Sequence, residues 1–261
     1  PVRTRIPLNA TLPAVPAERV PEVLAKYEGE IQELKIKVAE KGQSLADDIA
    51  RVAAAREALP NARLKVDANM GYTLAGALDA LRKLCEYGII YAEQPVASIE
   101  DMAALRFAIA KEGLPARIAA DESIRKAEDP LKVARANAAD LMVIKAAPLG
   151  GVRRALALVE QAQLPAVVSS ALESSVGIAT GASLAASLPT LRYGCGLGTV
   201  SLMAEDVTDE PLIARDGFMD LRAITPNPRR LERLATDKQT RQWWVERVTA
   251  CYRVLERACG L

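Results

Sequence analysis

Histidine is missing from this sequence of 261 residues. Its absence removes the usual general base, the Ser-His and Cys-His nucleophile pairs and the commonest zinc ligand. Acid–base chemistry in this chain falls instead to Lys, Asp, Glu, Tyr or Cys. Cysteine is scarce, and Cys85, Cys195, Cys251 and Cys259 show no Cys-x-x-Cys spacing. They are expected to be buried thiols of a reducing cytoplasm, not disulfides. Aromatic residues make up 4%, too few for rows of rings that stack on bases. Neither charge sign dominates, with 34 Lys+Arg against 33 Asp+Glu, so a nucleic-acid partner held by a strong positive field is excluded. No apolar run reaches the ~18 residues of a membrane span. The N-terminal Pro-Val-Arg-Thr-Arg carries no apolar signal region and no initiator Met, so a processed or shortened start is expected.

What is present is half apolar and about a quarter charged, which excludes a disordered tail. Short segments of strand character recur at 6–15, 34–39, 64–68, 89–92, 117–120, 141–146, 166–170 and 192–195. They are spaced by about 24 to 30 residues, the length of one strand, one helix and two loops. Eight strands alternating with helices predict a parallel α/β architecture, a (β/α)8-type barrel or a doubly wound sheet. Ser44 with Asp47, Thr73, Ser98 and Asp129-Pro130 mark helix starts between the strands, and Gly88 a helix end. The rhythm breaks near Gly198. Residues 1–222 are therefore expected to form the barrel, and 223–261 a C-terminal helical segment packing against it.

Strand alternation places Leu34, Ile36 and Val38 on one face and Lys35 and Lys37 on the other. In a barrel that second face points inward, near the C-terminal mouth where active sites of this architecture lie. Asp67, Glu93 and Asp121 each end one of the next three strands. Adjacent strands lie about 4.8 Å apart, so these carboxylates are placed to converge on one hard cation. An oxygen-only set with room for water and substrate suits Mg²⁺, with Mn²⁺ as a substitute. Lys145 follows four apolar residues, a costly position unless it faces charge. Its strand lies across the barrel from that of Lys37.

This order of lysines and acids resembles the enolase superfamily, in its muconate-lactonizing-enzyme subgroup. Longer motifs narrow the resemblance: Lys-Val-Ala-Glu at 37–40, Asp-Ala-Asn at 67–69, Glu-Gln-Pro at 93–95 and Ala-Ala-Asp-Glu-Ser-Ile-Arg-Lys at 119–126. Ala-Pro-Leu-Gly-Gly at 147–151, Val-Ser-Ser-Ala-Leu at 168–172, Cys-Gly-Leu-Gly-Thr at 195–199 and Arg-Gln-Trp-Trp at 241–244 complete it. Together they are similar to o-succinylbenzoate synthases of actinobacterial type, over essentially the whole chain. Met70 and Tyr72 depart from the Gly and Trp often found after Asp-Ala-Asn. The family's capping domain would be joined by the C-terminal tail, its N-terminal part being absent from this chain, so an uncapped face carrying Trp243 and Trp244 is expected to favour self-association.

The resemblance implies a Mg²⁺-dependent syn-dehydration of 2-succinyl-6-hydroxy-2,4-cyclohexadiene-1-carboxylate to 2-succinylbenzoate, a step of menaquinone biosynthesis. It implies Lys37 as base, Lys35 as its neighbour tuning it, and Lys145 as a cation opposing developing negative charge. Ser169, Ser170 and the Gly196 backbone would hold the distal succinyl carboxylate, and Asn69 would support the metal ligands. N-succinylamino-acid racemases, dipeptide epimerases and muconate cycloisomerases share the same machinery and remain alternatives. A barrel that binds metal and has no turnover is the alternative of another class.

Overall fold

Helix capping sets the frame around which the strands are hung. Ser44 accepts from the Asp47 amide while Asp47 accepts from the Ser44 amide, a full capping box. Thr73 and Ser98 cap their helices in the same way through the amides three residues on. The computed structural model describes residues 3–259. Along the chain lie β1 (Arg5–Pro7), β2 (Ala10–Leu12), α1 (Val20–Leu24), β3 (Glu33–Lys37), α2 (Leu45–Ala58), β4 (Arg63–Asp67) and α3 (Leu74–Leu84). They are followed by β5 (Ile89–Glu93), α4 (Ile99–Glu112), β6 (Arg117–Ala120), α5 (Glu122–Arg125), α6 (Lys132–Arg135), β7 (Leu141–Ile144) and α7 (Val152–Ala162). The last are β8 (Ala166–Val168), α8 (Ser175–Ser187), β9 (Phe218–Asp220), α9 (Pro228–Arg233) and α10 (Lys238–Cys259).

Strands β2 to β8 form one seven-stranded parallel sheet in sequence order. The eighth expected strand, 192–195, is not a strand. Single parallel bridges, Leu8 to Cys195 and Ser169 to Gly196, join the two edges of the sheet there. The chain comes close at this seam: a Cβ on Gly194 would stand 2.9 Å from the Leu8 carbonyl carbon. A side chain would push the edges apart. The expected strand 6–15 also divides. Its first part, β1, pairs antiparallel with β9 outside the barrel, and only β2 joins the parallel sheet. Pro7 ends β1 at that division, and proline cannot donate to a ladder.

Alternation sorts the strand residues as expected. Leu34 and Ile36 are fully buried in the main core between sheet and helices. A second cluster, Tyr91, Ala119, Leu141, Val143, Val167 and Tyr193, fills the other side of the sheet. That is the packed interior of a barrel, not a pore.

The C-terminal segment is tied down at its start and exposed beyond it. Helix α9 is tied down through Arg230 and Arg233 to Asp209 and Glu205. Along α10, however, Trp243, Trp244, Val248, Tyr252 and Leu255 are all exposed by about half or more. These large apolar side chains stay largely open to solvent. Among the described residues, no helix is long and apolar enough to cross a membrane. Cys195 is buried and Cys85 half-buried as thiols, but Cys251 is exposed on α10, against the expectation of burial. The side chain of Cys259 lies outside the described residues.

Candidate active site

Parallel register brings the charged residues together. Lys37 is level with Asp67, and Asp67 with Glu93. Glu93 is level with Ala119, so Asp121 sits two residues beyond that line. The three carboxylates therefore step around the mouth and do not share one level, because strands closing into a barrel are staggered. All three are buried, with 1% of Asp67 and 2% each of Glu93 and Asp121 exposed.

Lysines neutralise these acids. The Lys35 ammonium lies 3.2 Å from both Asp67 and Glu93. Lys37 donates to Asp67 Oδ2 and to Asn69 Oδ1, each at 2.6 Å. From the other side Lys145 donates to both oxygens of Asp121, at 2.8 and 2.7 Å. Burial alone would lower the Lys35 ammonium's pKa, but the charges of Glu93 and Asp67 outweigh it and hold it charged. Asp67 is the converse: burial opposes its charge, and Lys35 and Lys37 keep its pKa low. Glu93 is the frustrated member, pushed up to about 7 by burial and by the charges of Asp67 and Asp121.

Among the described residues, no three His, Cys, Asp or Glu side chains stand close enough together to enclose an ion by themselves. The donor chemistry nonetheless fits a hard divalent cation. Three buried carboxylates crowd one end of the barrel, and burial together with the charges of Asp67 and Asp121 raises the Glu93 pKa, a rise that an added cation would oppose. A fourth acid borders them. Glu122 accepts from Asn69 and Arg125 through Oε1, and its buried Oε2 has no hydrogen-bond partner.

The remaining expected site residues are placed as follows. Asn69 bridges Lys37 and Glu122 with a left-handed backbone, φ 43°. Ser169 and Gly196 meet at the barrel seam, where a Cβ on Gly196 would lie 2.8 Å from Ser169 Oγ. Ser170 Oγ is 3.0 Å from Thr199 Oγ1. These three share the mouth but contact none of the lysines or carboxylates through a hydrogen bond.

Sequence reading missed several participants. Gln94 is fully buried, and its Oε1 accepts from the amides of Asp121 and Ser123, orienting the Asp121 turn. Glu122 and Arg125 stand within the 119–126 motif yet passed without a role. Deeper in the barrel, Lys65 is fully buried and donates to Glu33 Oε2 and to the Gly194 carbonyl. Burial lowers its pKa and Glu33 opposes that. Strand period 2 from Asp67 back to Lys65 and Arg63 was the available signal for this inward-facing pair.

Comparison with known proteins fits this geometry. The model of the enolase C-terminal domain-like family matches residues 17–226, and the chain is a member of that superfamily. Muconate cycloisomerase from Pseudomonas fluorescens superposes with a TM-score of 0.76 at 28% identity, covering 88% of this chain and 66% of that structure. For 2-chloromuconate cycloisomerase from Rhodococcus opacus 1CP the TM-score is 0.79 at 27% identity, over 90% of this chain and 65% of that one. The chain thus spans about two thirds of the length of these solved structures. Sequence relatives are nearer. The o-succinylbenzoate synthase of Mycolicibacterium smegmatis is 53% identical over 97% of this chain and 77% of its own length. That of Mycobacterium leprae is 50% identical over 99% of this chain and 75% of its own. The chain belongs to the o-succinylbenzoate synthase family.

Proposed function

We propose that the barrel catalyses the syn-elimination of water from 2-succinyl-6-hydroxy-2,4-cyclohexadiene-1-carboxylate, giving 2-succinylbenzoate for menaquinone biosynthesis in the cytoplasm. The observation that carries this is the opposition of Lys37 and Lys145, on strands four apart, across three buried carboxylates. Asp67, Glu93 and Asp121 would hold a divalent cation, Mg²⁺ with Mn²⁺ as substitute, which when bound stabilises negative charge growing on the substrate carboxylate.

The chain's own residues do the rest. Lys37, in its neutral form, takes the proton from the carbon bearing the carboxylate. The electron pair left behind expels the hydroxyl group as the ring becomes aromatic. The same lysine returns the proton to the departing oxygen on the same face, and water leaves. Lys145 keeps its charge and opposes the anion from the other face. Lys35 holds Asp67 and Glu93 in place beneath. Ser169, Ser170 and the Gly196 backbone are assigned to the succinyl carboxylate. The exposed apolar face of α10 suits a helix that would join a capping layer, or associate with a second copy.

A second reading has support in the same geometry, since two lysines on opposite faces also suit a 1,1-proton transfer. Turnover of the cyclohexadiene acid, followed beside N-succinylamino acids, dipeptides and muconate with Mg²⁺ present, separates them. Dehydration is expected to exceed the other activities. Faster racemisation or epimerisation would replace the assignment, and binding of Mg²⁺ with no turnover of any substrate would leave a metal-binding scaffold.

A further inference from the structure

One buried ionic group near the mouth supplies no reacting atom. Arg51 of α2 is fully buried. Its Nε donates to the Val15 carbonyl at 2.6 Å, and its Nη1 to the Lys37 carbonyl at 3.0 Å and to Asp48 Oδ1 at 2.9 Å. Asp48, 1% exposed, spends its other oxygen on the Ala39 amide at 2.9 Å and the Tyr72 hydroxyl at 2.6 Å. Val15 follows β2, Lys37 ends β3 with Ala39 in the loop after it, and Tyr72 lies in the loop after β4. One ion pair therefore ties three consecutive loops at the mouth.

Two of these loops carry backbone strain. Ala39 has φ 59°, and Asn69 and Met70 have φ 43° and 68°. Such conformations persist in residues with a Cβ only where their surroundings over-determine them. Asp48 supplies that constraint to Ala39 directly, and to the second loop through Tyr72. A buried ion pair is weak evidence for stability, because apolar residues of like volume often do as well. Apolar residues would not fix the direction of the Lys37 carbonyl. Tyr72 remains a donor, since burial and Asp48 both push its hydroxyl well above the ordinary range.

We infer that Asp48 and Arg51, with Tyr72, are positioning residues that hold Lys37 against Asp67 and Asn69, an inference that rests on Lys37 being the base. Displacements of about 1 Å can cost on the order of 100-fold in rate.

Tyr72→Phe is the first test, because it removes one hydroxyl and bares no charge. Asp48→Asn is the second, kept to samples shown to be folded, since it leaves Arg51 without its counter-charge. Both are expected to lower kcat by roughly 10- to 100-fold, with KM and the calorimetric Mg²⁺ affinity unchanged. An unchanged kcat in folded protein overturns the inference, as does a loss shared equally by KM and Mg²⁺ affinity, which would mark general loosening. If the wild-type chain does not turn over the cyclohexadiene acid, the proposed activity fails separately, and hydrogen exchange decides the clasp. Amides at 37–43 and 67–72 are then expected to exchange faster in Tyr72→Phe while those of β5 to β8 do not change. Equal exchange in variant and wild type would overturn it.

Discussion

Lys35 stands between Asp67 and Glu93, its Nζ 3.2 Å from a carboxylate oxygen of each. Both acids are buried, and among the described residues this is the one ammonium ion-paired with both. Lys35→Met is expected to cost the metal-free protein about 3–5 kcal/mol, as removing one partner of a buried pair does. Millimolar Mg²⁺ should recover part of that loss, because a cation on the same carboxylates replaces the missing charge. Thermal midpoints in EDTA and in Mg²⁺ check this; a loss of equal size in both would mean that the acids do not share an ion.

Glu93 gives the pH dependence. Its pKa rises from 4.5 to about 7 on folding, so the folded protein binds the extra proton in that window. Its contribution therefore lowers metal-free stability as pH climbs from about 4.5 to about 7, and the penalty is absent below the lower value. Asp67, held below 3.8, acts outside that window. Denaturant unfolding in EDTA at a series of pH values should show the fall. Metal binding near pH 6 should release a proton, detectable by calorimetry in buffers of different ionisation enthalpy, and Glu93→Gln should abolish that release and weaken Mg²⁺ affinity.

The two lysines of the opposed pair are expected to differ in what their loss does. Lys37→Ala should lower turnover by about 100- to 10,000-fold, the range for a general base, with Mg²⁺ binding retained. Lys145→Met should fold, because Asp121 keeps Arg125 at 3.2 Å, and should lower kcat more than it raises KM. Near-normal turnover by Lys37→Ala would remove that residue from the mechanism.

Both tryptophans of the chain lie on α10, about half exposed. Emission of the dilute native protein should be water-like and shift to the blue as concentration rises, if α10 pairs with a second copy through its apolar face. Trp244→Lys should suppress the shift and reduce particle size in sedimentation. A blue-shifted, concentration-independent spectrum would exclude this association.

Thiol chemistry separates the cysteines. Cys251 is exposed and should react with a maleimide in the native state, whereas Cys195, buried and pushed up to about 12, should react only after unfolding. Peptide mapping after labelling reads both. Native labelling of Cys195 would show that the barrel seam beside Gly196 opens.

By itself, the sequence determined the repeat of strand and helix, the caps at Ser44, Thr73 and Ser98, and the inward face of Lys35 and Lys37. Each follows from local chemistry or from side-chain alternation, which need no knowledge of the rest of the chain. Asp67, Glu93, Asp121 and Lys145 were legible for the same reason, as charges at the ends of apolar runs. Tertiary structure decided what depends on closure. It divided the first segment between two sheets and reduced the last expected strand to single bridges at Cys195 and Gly196. It staggered Asp121 past Glu93 and left α10 uncovered. It also gathered Asp48, Arg51 and Tyr72 into one clasp: Arg51 and Asp48 share one turn of α2, but Val15, Ala39 and Tyr72 come from three different loops. Such contacts have no signature in spacing, because their geometry is set by how neighbouring strands are placed around the barrel.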